Sequence, residues 1–265
     1  MKTIELKLKE HETKIGETCK HQEPNIKEDC YFTEGGKIIG LYLTKINDDC
    51  IKLVDIANDQ FISKAVPKTM MSRGPQGSKE DKERRIKEGK VLVEQYSTIL
   101  GGMPPKPHMR RNYANVSSVH NVPSAKIFIK AMLMLLDKTT EMLKQYMPEQ
   151  YELQYELCKT ILPKYRLNEL YTSSISNANI AAAYHKDNAN VIGSVNLIIT
   201  KRLNSEGGCL HLPDYGATIE QKDNSLLVYP AWKNIHGVTP IIKHHPLGYR
   251  NSFVFYSLKG LLNTL

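Results

Sequence analysis

The chain is poor in cysteine and has no long apolar run. Its five cysteines (Cys19, Cys30, Cys50, Cys158 and Cys209) are scattered and odd in number. This argues against a disulfide framework and for thiols in a reducing compartment. Cys19-Lys20-His21 could open a zinc site, but no second pair follows at zinc-finger spacing. No hydrophobic stretch approaches the roughly 20 residues of a membrane span. The segment Met1 to Glu12 is charged throughout and lacks the apolar core of a signal peptide. A cytoplasmic or nuclear location without membrane contact is therefore expected. There is no internal repeat, no low-complexity tract and no convincing Ser/His/Asp or Cys/His set. Catalysis by a nucleophile of the protein's own is not expected.

What is present is an ordinary globular composition. The 265 residues are 41% hydrophobic and 24% charged, enough for one large domain or two small ones. A chain of this length buries roughly 75% of its unfolded surface and needs no staples. The formal net charge is +8, and Lys64 to Arg111 holds 12 Lys and Arg against 5 Asp and Glu, a surplus of 7. A polyanion such as nucleic acid would meet that surplus. Glu80/Arg84, Asp81/Arg85 and Glu83/Lys87 are also acid-then-base pairs four apart, as on a solvated helix face. The segment fits either reading.

Residues 1–30 are polar and read as a loose arm or an edge strand. Lys37 to Leu43 reads as a strand and Cys50 to Val54 as a second, joined by turn residues Asn47-Asp48-Asp49. Ser72 to Ser78 is a loop leading into a charged helix from about Lys79 to Gly89. Gly101 to Pro107 is expected to be irregular, because Pro104, Pro105 and Pro107 exclude a helix interior. A helix capped by Ser124 carries Phe128, Met132, Leu135, Leu136, Met142 and Leu143 on one face and ends at Pro148. A second runs from about Glu149 to Leu162. From Tyr171 onward, short strands are expected at 178–186, 191–200, 208–212, 225–230, 236–242 and 251–258, punctuated by glycine, proline and Asp-Asn turns. Helices followed by serial short strands predict an α+β fold, a sheet sandwich or barrel braced by helices.

The chemistry-bearing residues stand in one order: His185-Lys186-Asp187, His236, Arg250-Asn251-Ser252. In a strand, positions i and i+2 share a face, so His185 and Asp187 can serve one metal. Alone, His-x-Asp is a weak signal. His236 follows Asp187 by 49 residues and precedes Arg250 by 14. Two histidines and a carboxylate on one face of Fe(II) leave the opposite positions open. Arg250 and Ser252 share a face, and an inward arginine is costly without an anion. The far carboxylate of 2-oxoglutarate is such an anion, held by a two-pronged hydrogen bond. A buried structural ion pair is the alternative. His211, His244 and His245 compete less well, the first in a strand before Pro213 and the pair in a loop before Pro246.

The stretches Ala183-Tyr184-His185-Lys186-Asp187, Gly207-Gly208-Cys209-Leu210-His211-Leu212-Pro213, His236-Gly237-Val238-Thr239-Pro240 and Arg250 to Tyr256 resemble the Fe(II)/2-oxoglutarate dioxygenase superfamily. Within it they resemble the TET/JBP group of 5-methylpyrimidine dioxygenases, in particular its phage-type members. The resemblance implies a double-stranded β-helix (jelly-roll, cupin-like) core. It implies His185, Asp187 and His236 as iron ligands and Arg250 as the 2-oxoglutarate anchor, joined by Ser252. It implies hydroxylation of the methyl group of 5-methylcytosine, or of thymine, in DNA, using Fe(II), 2-oxoglutarate and O2 and releasing succinate and CO2. The expected division is a β-containing extension over 1–70, a basic connector over 71–90 and the dioxygenase domain with its helices over 91–265.

For the DNA partner, Lys106, His108, Arg110, Arg111 and Tyr113 combine cations for phosphates with a ring for stacking on a flipped or single-stranded base. Asn179, Asn188, Asn190 and Asn196 flank the metal segment and could read a base edge, though turn and strand-edge roles compete. Core packing competes with base stacking for Tyr229 and Trp232. Two other functions remain open: a protein hydroxylase acting on proline, lysine or asparagine side chains, and a catalytically silent nucleic-acid-binding module.

Overall fold

The computed structural model describes residues 1–70 and 95–262. The expected connector at 71–90 and the charged helix at 79–89 lie outside the described residues. The rest forms two facing β-sheets with helices packed behind the larger one.

The large sheet is ordered β1-β2-β3-β13-β9-β16-β7-β5-β4, with β6 paired to β5. Its strands are β1 (Lys2–Glu5), β2 (Cys30–Glu34), β3 (Lys37–Leu43), β4 (Thr69–Met70), β5 (Tyr96–Met103), β6 (Asn115–Val116), β7 (Ser173–Ala178), β9 (Asn196–Leu203), β13 (Ser225–Tyr229) and β16 (Tyr249–Tyr256). The small sheet is ordered β12-β11-β14-β8, from β8 (Ala182–His185), β11 (Leu210–Leu212), β12 (Ala217–Ile219) and β14 (His236–Val238). β10 (Ser205–Gly207) and β15 (Ile241–Lys243) form a separate two-stranded antiparallel sheet.

The period-2 alternation of the central strands assigns their two faces. Leu197, Ile199, Leu226, Val228, Phe253 and Phe255 point to the helical side, where they pack with Phe61, Phe128 and Leu135. Leu227 and Tyr229 point the other way and pack with Leu210, Leu212 and Ile219 of the small sheet. Arg250, Ser252 and Val254 of β16 also face the small sheet and line the cavity between the two. This is the jelly-roll arrangement the sequence implied, with a mixed α+β content.

Several local expectations are corrected. Cys50–Val54 is not a strand but part of α1 (Asp48–Ile62). Asn47 is the helix cap, its Oδ1 accepting from the Cys50 amide at 2.9 Å, and Asp48 and Asp49 suit the positive end of the helix dipole. Buried Cys50, Val54, Ala57 and Phe61 make the core-facing stripe. Gly101 to Met103 are not irregular but end β5. Gly101 has φ +86°, and an added Cβ would lie 2.2 Å from the Thr172 carbonyl. Ser124 does not cap α2 (Lys126–Tyr146); its hydroxyl donates to the Ala65 carbonyl at 2.7 Å instead. The next helix, α3, spans Pro148–Cys158, so Pro148 starts it rather than only ending α2. The strand expected at 178–186 is the shorter β8 (Ala182–His185), and β7 (Ser173–Ala178) before it was not expected. The chain leaves the large sheet at Ala178, turns through Asn179 (φ +52°) and enters the small sheet at Ala182.

Residues 1–30 supply more than an edge strand. β1 pairs in parallel with β2, and the chain then runs along both margins of the small sheet. The Gly16 amide donates to the Tyr184 carbonyl at 2.8 Å and the Tyr184 amide to the Glu17 carbonyl at 2.9 Å, closing the β8 edge. Ile26 bridges to Ile219 on the β12 edge. All five cysteines are free and buried, and no helix among the described residues is long and apolar enough to cross a membrane.

Candidate active site

His185 ends β8 and His236 opens β14, and the two are directly opposite in the antiparallel pair. Opposed residues share a face, so the imidazoles meet, with ring centroids 4.3 Å apart. Asp187 lies just past the strand end, held by its amide donating to the Ala231 carbonyl at 3.1 Å. One ligand atom from each of the three residues falls within 4.8 Å of the others.

Hydrogen bonds orient all three groups. His185 Nδ1 lies 2.8 Å from the Ala183 carbonyl and His236 Nδ1 lies 3.1 Å from that of Asn234. Each Nδ1–H donates to its carbonyl, so each Nε2 carries the free lone pair a metal needs. Asp187 Oδ2 accepts from Asn196 Nδ2 at 3.1 Å and from Asn190 Nδ2 at 3.4 Å. Its Oδ1 turns toward His185 Nε2, 3.6 Å away. Burial, with a further push from His185, holds His236 below the usual imidazole range, while Asp187 pulls the other way. A neutral His236 is a ready ligand. The site is open on the side of half-exposed His185 and Asp187 and closed behind buried His236.

A cavity of about 160 Å³ leads inward from these groups between the two sheets. Ile175, Ile198 and Val254 form an apolar belt along it, and Ser252 and Arg250 lie beyond. Arg250 is 4% exposed, and no described carboxylate pairs with it. Its Nε has no hydrogen-bond partner among the described residues. Among the described residues, the structural ion pair that competed for Arg250 is therefore not found. Burial, with a smaller push from Arg202, lowers Arg250 to about 10, so it is a cation at neutral pH. Arg202 stands directly opposite on β9; its guanidinium donates to the Gln221 and Gly207 carbonyls at 2.8 and 3.2 Å. Arg250 is seated by Asn179, whose Oδ1 accepts from the Arg250 amide at 3.0 Å. Gly208 has φ +64°, and an added Cβ would sit 3.2 Å from Arg250 Cδ and Nε. The glycine leaves room for the guanidinium.

The buried donor set fits the group it implies. A cation with an unused N–H at the blind end of a cavity suits a carboxylate. Two imidazoles and one carboxylate at the open end suit Fe(II).

A model of the Tet_JBP family, the oxygenase domain of the 2OGFeDO superfamily, matches residues 103–259, more than half of the chain. The chain belongs to this family. As a Tet_JBP oxygenase it is an oxidoreductase that uses Fe(II), 2-oxoglutarate and O2. Among solved structures it is similar to NgTET1, determined in complex with 5mC DNA. The TM-score is 0.61 and the identity 12%, over 94% of this chain and 84% of that one. A 2OG-Fe(II) oxygenase family oxidoreductase from Burkholderia pseudomallei matches with a TM-score of 0.47 and 10% identity, over 83% and 88% of the two chains. The likeness to NgTET1 concerns the fold. A comparison with curated proteins finds no significant sequence match.

The remaining sequence candidates are dispersed. Lys106, His108, Arg110 and Tyr113 are exposed, Tyr113 at 83%, on the loop after β5; Arg111 is half-buried. None of them lines the cavity. Asn190 is removed from the substrate set, because it is buried and its amide is spent on Asp187 and Asn196. Asn196 and Asn179 are likewise engaged, with Asp187 and Arg250, whereas Asn188 is exposed. Tyr229 is fully buried beside His236, and the Trp232 indole donates to the Ser194 carbonyl at 2.9 Å. His211 approaches Thr218 Oγ1 at 2.9 Å, and His244 and His245 lie in a surface loop. Sequence reasoning missed Gln221, which lines the cavity. It stands between β12 and β13 with no spacing signal to mark it.

Proposed function

We propose that this oxygenase hydroxylates the 5-methyl group of 5-methylcytosine, or of thymine, in DNA. His185 Nε2, Asp187 Oδ1 and His236 Nε2 are proposed as the iron ligands, and Arg250 with Ser252 as the anchor of the far carboxylate of 2-oxoglutarate. The observation that carries the reading is the single axis of the cavity: three metal-competent groups at its mouth and an unneutralised buried guanidinium at its blind end.

When bound, Fe(II) with 2-oxoglutarate would supply the activation of O2, one oxygen atom going into succinate as CO2 is released and the other to a substrate C–H bond. The chain's own residues do the positioning. The opposed histidines and Asp187 fix three sites on one side. Asn190 and Asn196 hold the carboxylate so that one oxygen faces the metal position. The apolar belt of Ile175, Ile198 and Val254 excludes water between the mouth and Arg250.

The DNA part of the reading rests on the family and on the basic loop. Gly101 of β5 is opposite Ser173 of β7, Ser173 is opposite Tyr256 of β16, and Phe255 is opposite Leu197, the neighbour of Asn196. The loop after β5 therefore leaves the sheet at the end where Asp187 sits. We assign Lys106, His108, Arg110, Arg111 and Tyr113 to the phosphates and an unpaired base around a methylpyrimidine, and Asn188 to the rim.

The test is to incubate the protein with Fe(II), 2-oxoglutarate, ascorbate and DNA carrying 5-methylcytosine, then digest the DNA and weigh its nucleosides. A gain of one oxygen on the methylated base, matched by succinate, is the expected outcome. Unchanged nucleosides, with 2-oxoglutarate turnover stimulated only by a peptide, would replace DNA by a protein substrate.

A further inference from the structure

The Gln221 side chain is 1% exposed and lines the same cavity as Arg250 and Ser252. Its amide is fixed at one end only: Oε1 accepts from Thr200 Oγ1 at 2.9 Å. Nε2, buried, has no hydrogen-bond partner among the described residues. Thr200 of β9 stands directly opposite Ser252 of β16, and Arg202 directly opposite Arg250. The Gln221 amide thus lies over the row of Ser252, one pleat from the Arg250 guanidinium. Its backbone carbonyl is tied to Arg202, so the segment is held from both sides. A buried N–H₂ without an acceptor is as anomalous as a buried guanidinium without an anion. Both anomalies occur in one cavity.

We infer that Gln221 is a co-substrate-binding residue: its Nε2 donates to the far carboxylate of 2-oxoglutarate alongside Arg250 and Ser252, and it sets the length of keto diacid the cavity accepts. The inference rests on the reading of Arg250 as the anchor. It adds a neutral donor whose reach depends on one methylene. Arg250 supplies charge and would hold a carboxylate over a range of positions. The amide, pinned by Thr200, favours one.

The test is calorimetric titration of keto acids into Mn(II)-loaded protein without O2, so that no turnover is needed. Gln221→Met keeps the volume and removes the donor. The dissociation constant for 2-oxoglutarate is expected to rise about tenfold to a hundredfold, the worth of a hydrogen bond to a charged group, while Mn(II) affinity stays unchanged. Gln221→Asn withdraws the donor by one carbon. The ratio of 2-oxoadipate to 2-oxoglutarate affinity is expected to rise at least tenfold, a change that a merely structural role would not produce. Unchanged 2-oxoglutarate affinity in Gln221→Met, or an unchanged ratio in Gln221→Asn if the first variant does not fold, overturns the inference. Arg250→Met separates the two readings. If it too leaves 2-oxoglutarate binding intact, the anchor itself is misplaced; if it alone abolishes binding, only the role of Gln221 fails.

Discussion

Asp187 divides its carboxylate between two tasks. Oδ2 is taken by the amides of Asn196 and Asn190, leaving Oδ1 for the metal position. Removing such an orienting partner usually costs about 10–100-fold in metal affinity. Asn196→Ala is expected to weaken Mn(II) or Fe(II) binding by that range, read by calorimetry, with the thermal melt little changed. Arg250 carries the opposite prediction for stability. Its buried charge has no described counter-ion, so Arg250→Met removes an unpaired cation from the interior. The ligand-free variant is expected to melt no lower than wild type, and the rise in Tm that 2-oxoglutarate gives the wild-type protein should vanish. The four residues His185, Asp187, His236 and Arg250 were legible in the sequence because their types, order and spacing are dictated by the chemistry. Asn190, Asn196 and Gln221 were not. Asn190 and Asn196 lie within nine residues of Asp187, but an asparagine near a turn has many uses and spacing alone does not tell a carboxylate clamp from a base reader. Gln221 has no partner nearby in the chain to mark it.

At the scale of elements, legibility followed the length of the periodic signal. The 21-residue helix Lys126–Tyr146 was visible from its apolar stripe, and strands such as Ser225–Tyr229 from their turn punctuation. Cys50–Val54 failed because five residues with apolar ends fit a strand as well as a helix. Only the longer pattern through Ala57 and Phe61 decides it. The cap makes that helix testable: Asn47→Ala should lower stability by about 1 kcal/mol in denaturant unfolding, without affecting keto-acid binding. The break at Asn179 escaped notice because the serine-rich β7 (Ser173–Ala178) before it carries little apolar signal and was not expected as a strand. That break moves the chain from the large sheet to the small one. It puts His185 on one wall of the cavity and Arg250 on the other.

For the whole molecule, half-buried histidines tie stability to pH. Burial lowers the imidazoles of His120 and His211 below their usual range, and His120 Nε2 accepts from the Gly101 amide at 2.9 Å, which only the unprotonated nitrogen can do. Their folded pKa values lie beneath the unfolded value of about 6.5. The unfolded chain therefore takes up protons first as pH falls. Stability is full above about 6.5 and is lost as pH falls through the folded values. The melting temperature of metal-free protein should drop on acidification below pH ~6.5, and a His120→Gln/His211→Gln double variant should show a shallower drop.

The arm formed by residues 6–28 closes both margins of the small sheet. The two histidine-bearing strands are thus braced by residues outside the 103–259 segment that defines the family. The most direct test of the proposed centre is a crystal structure of the protein with Mn(II) and 2-oxoglutarate, grown without O2. The expected result is one metal bound by His185 Nε2, Asp187 and His236 Nε2, with the far carboxylate of the keto acid against Arg250. A metal bound elsewhere, or a keto acid lying away from Arg250, would contradict it.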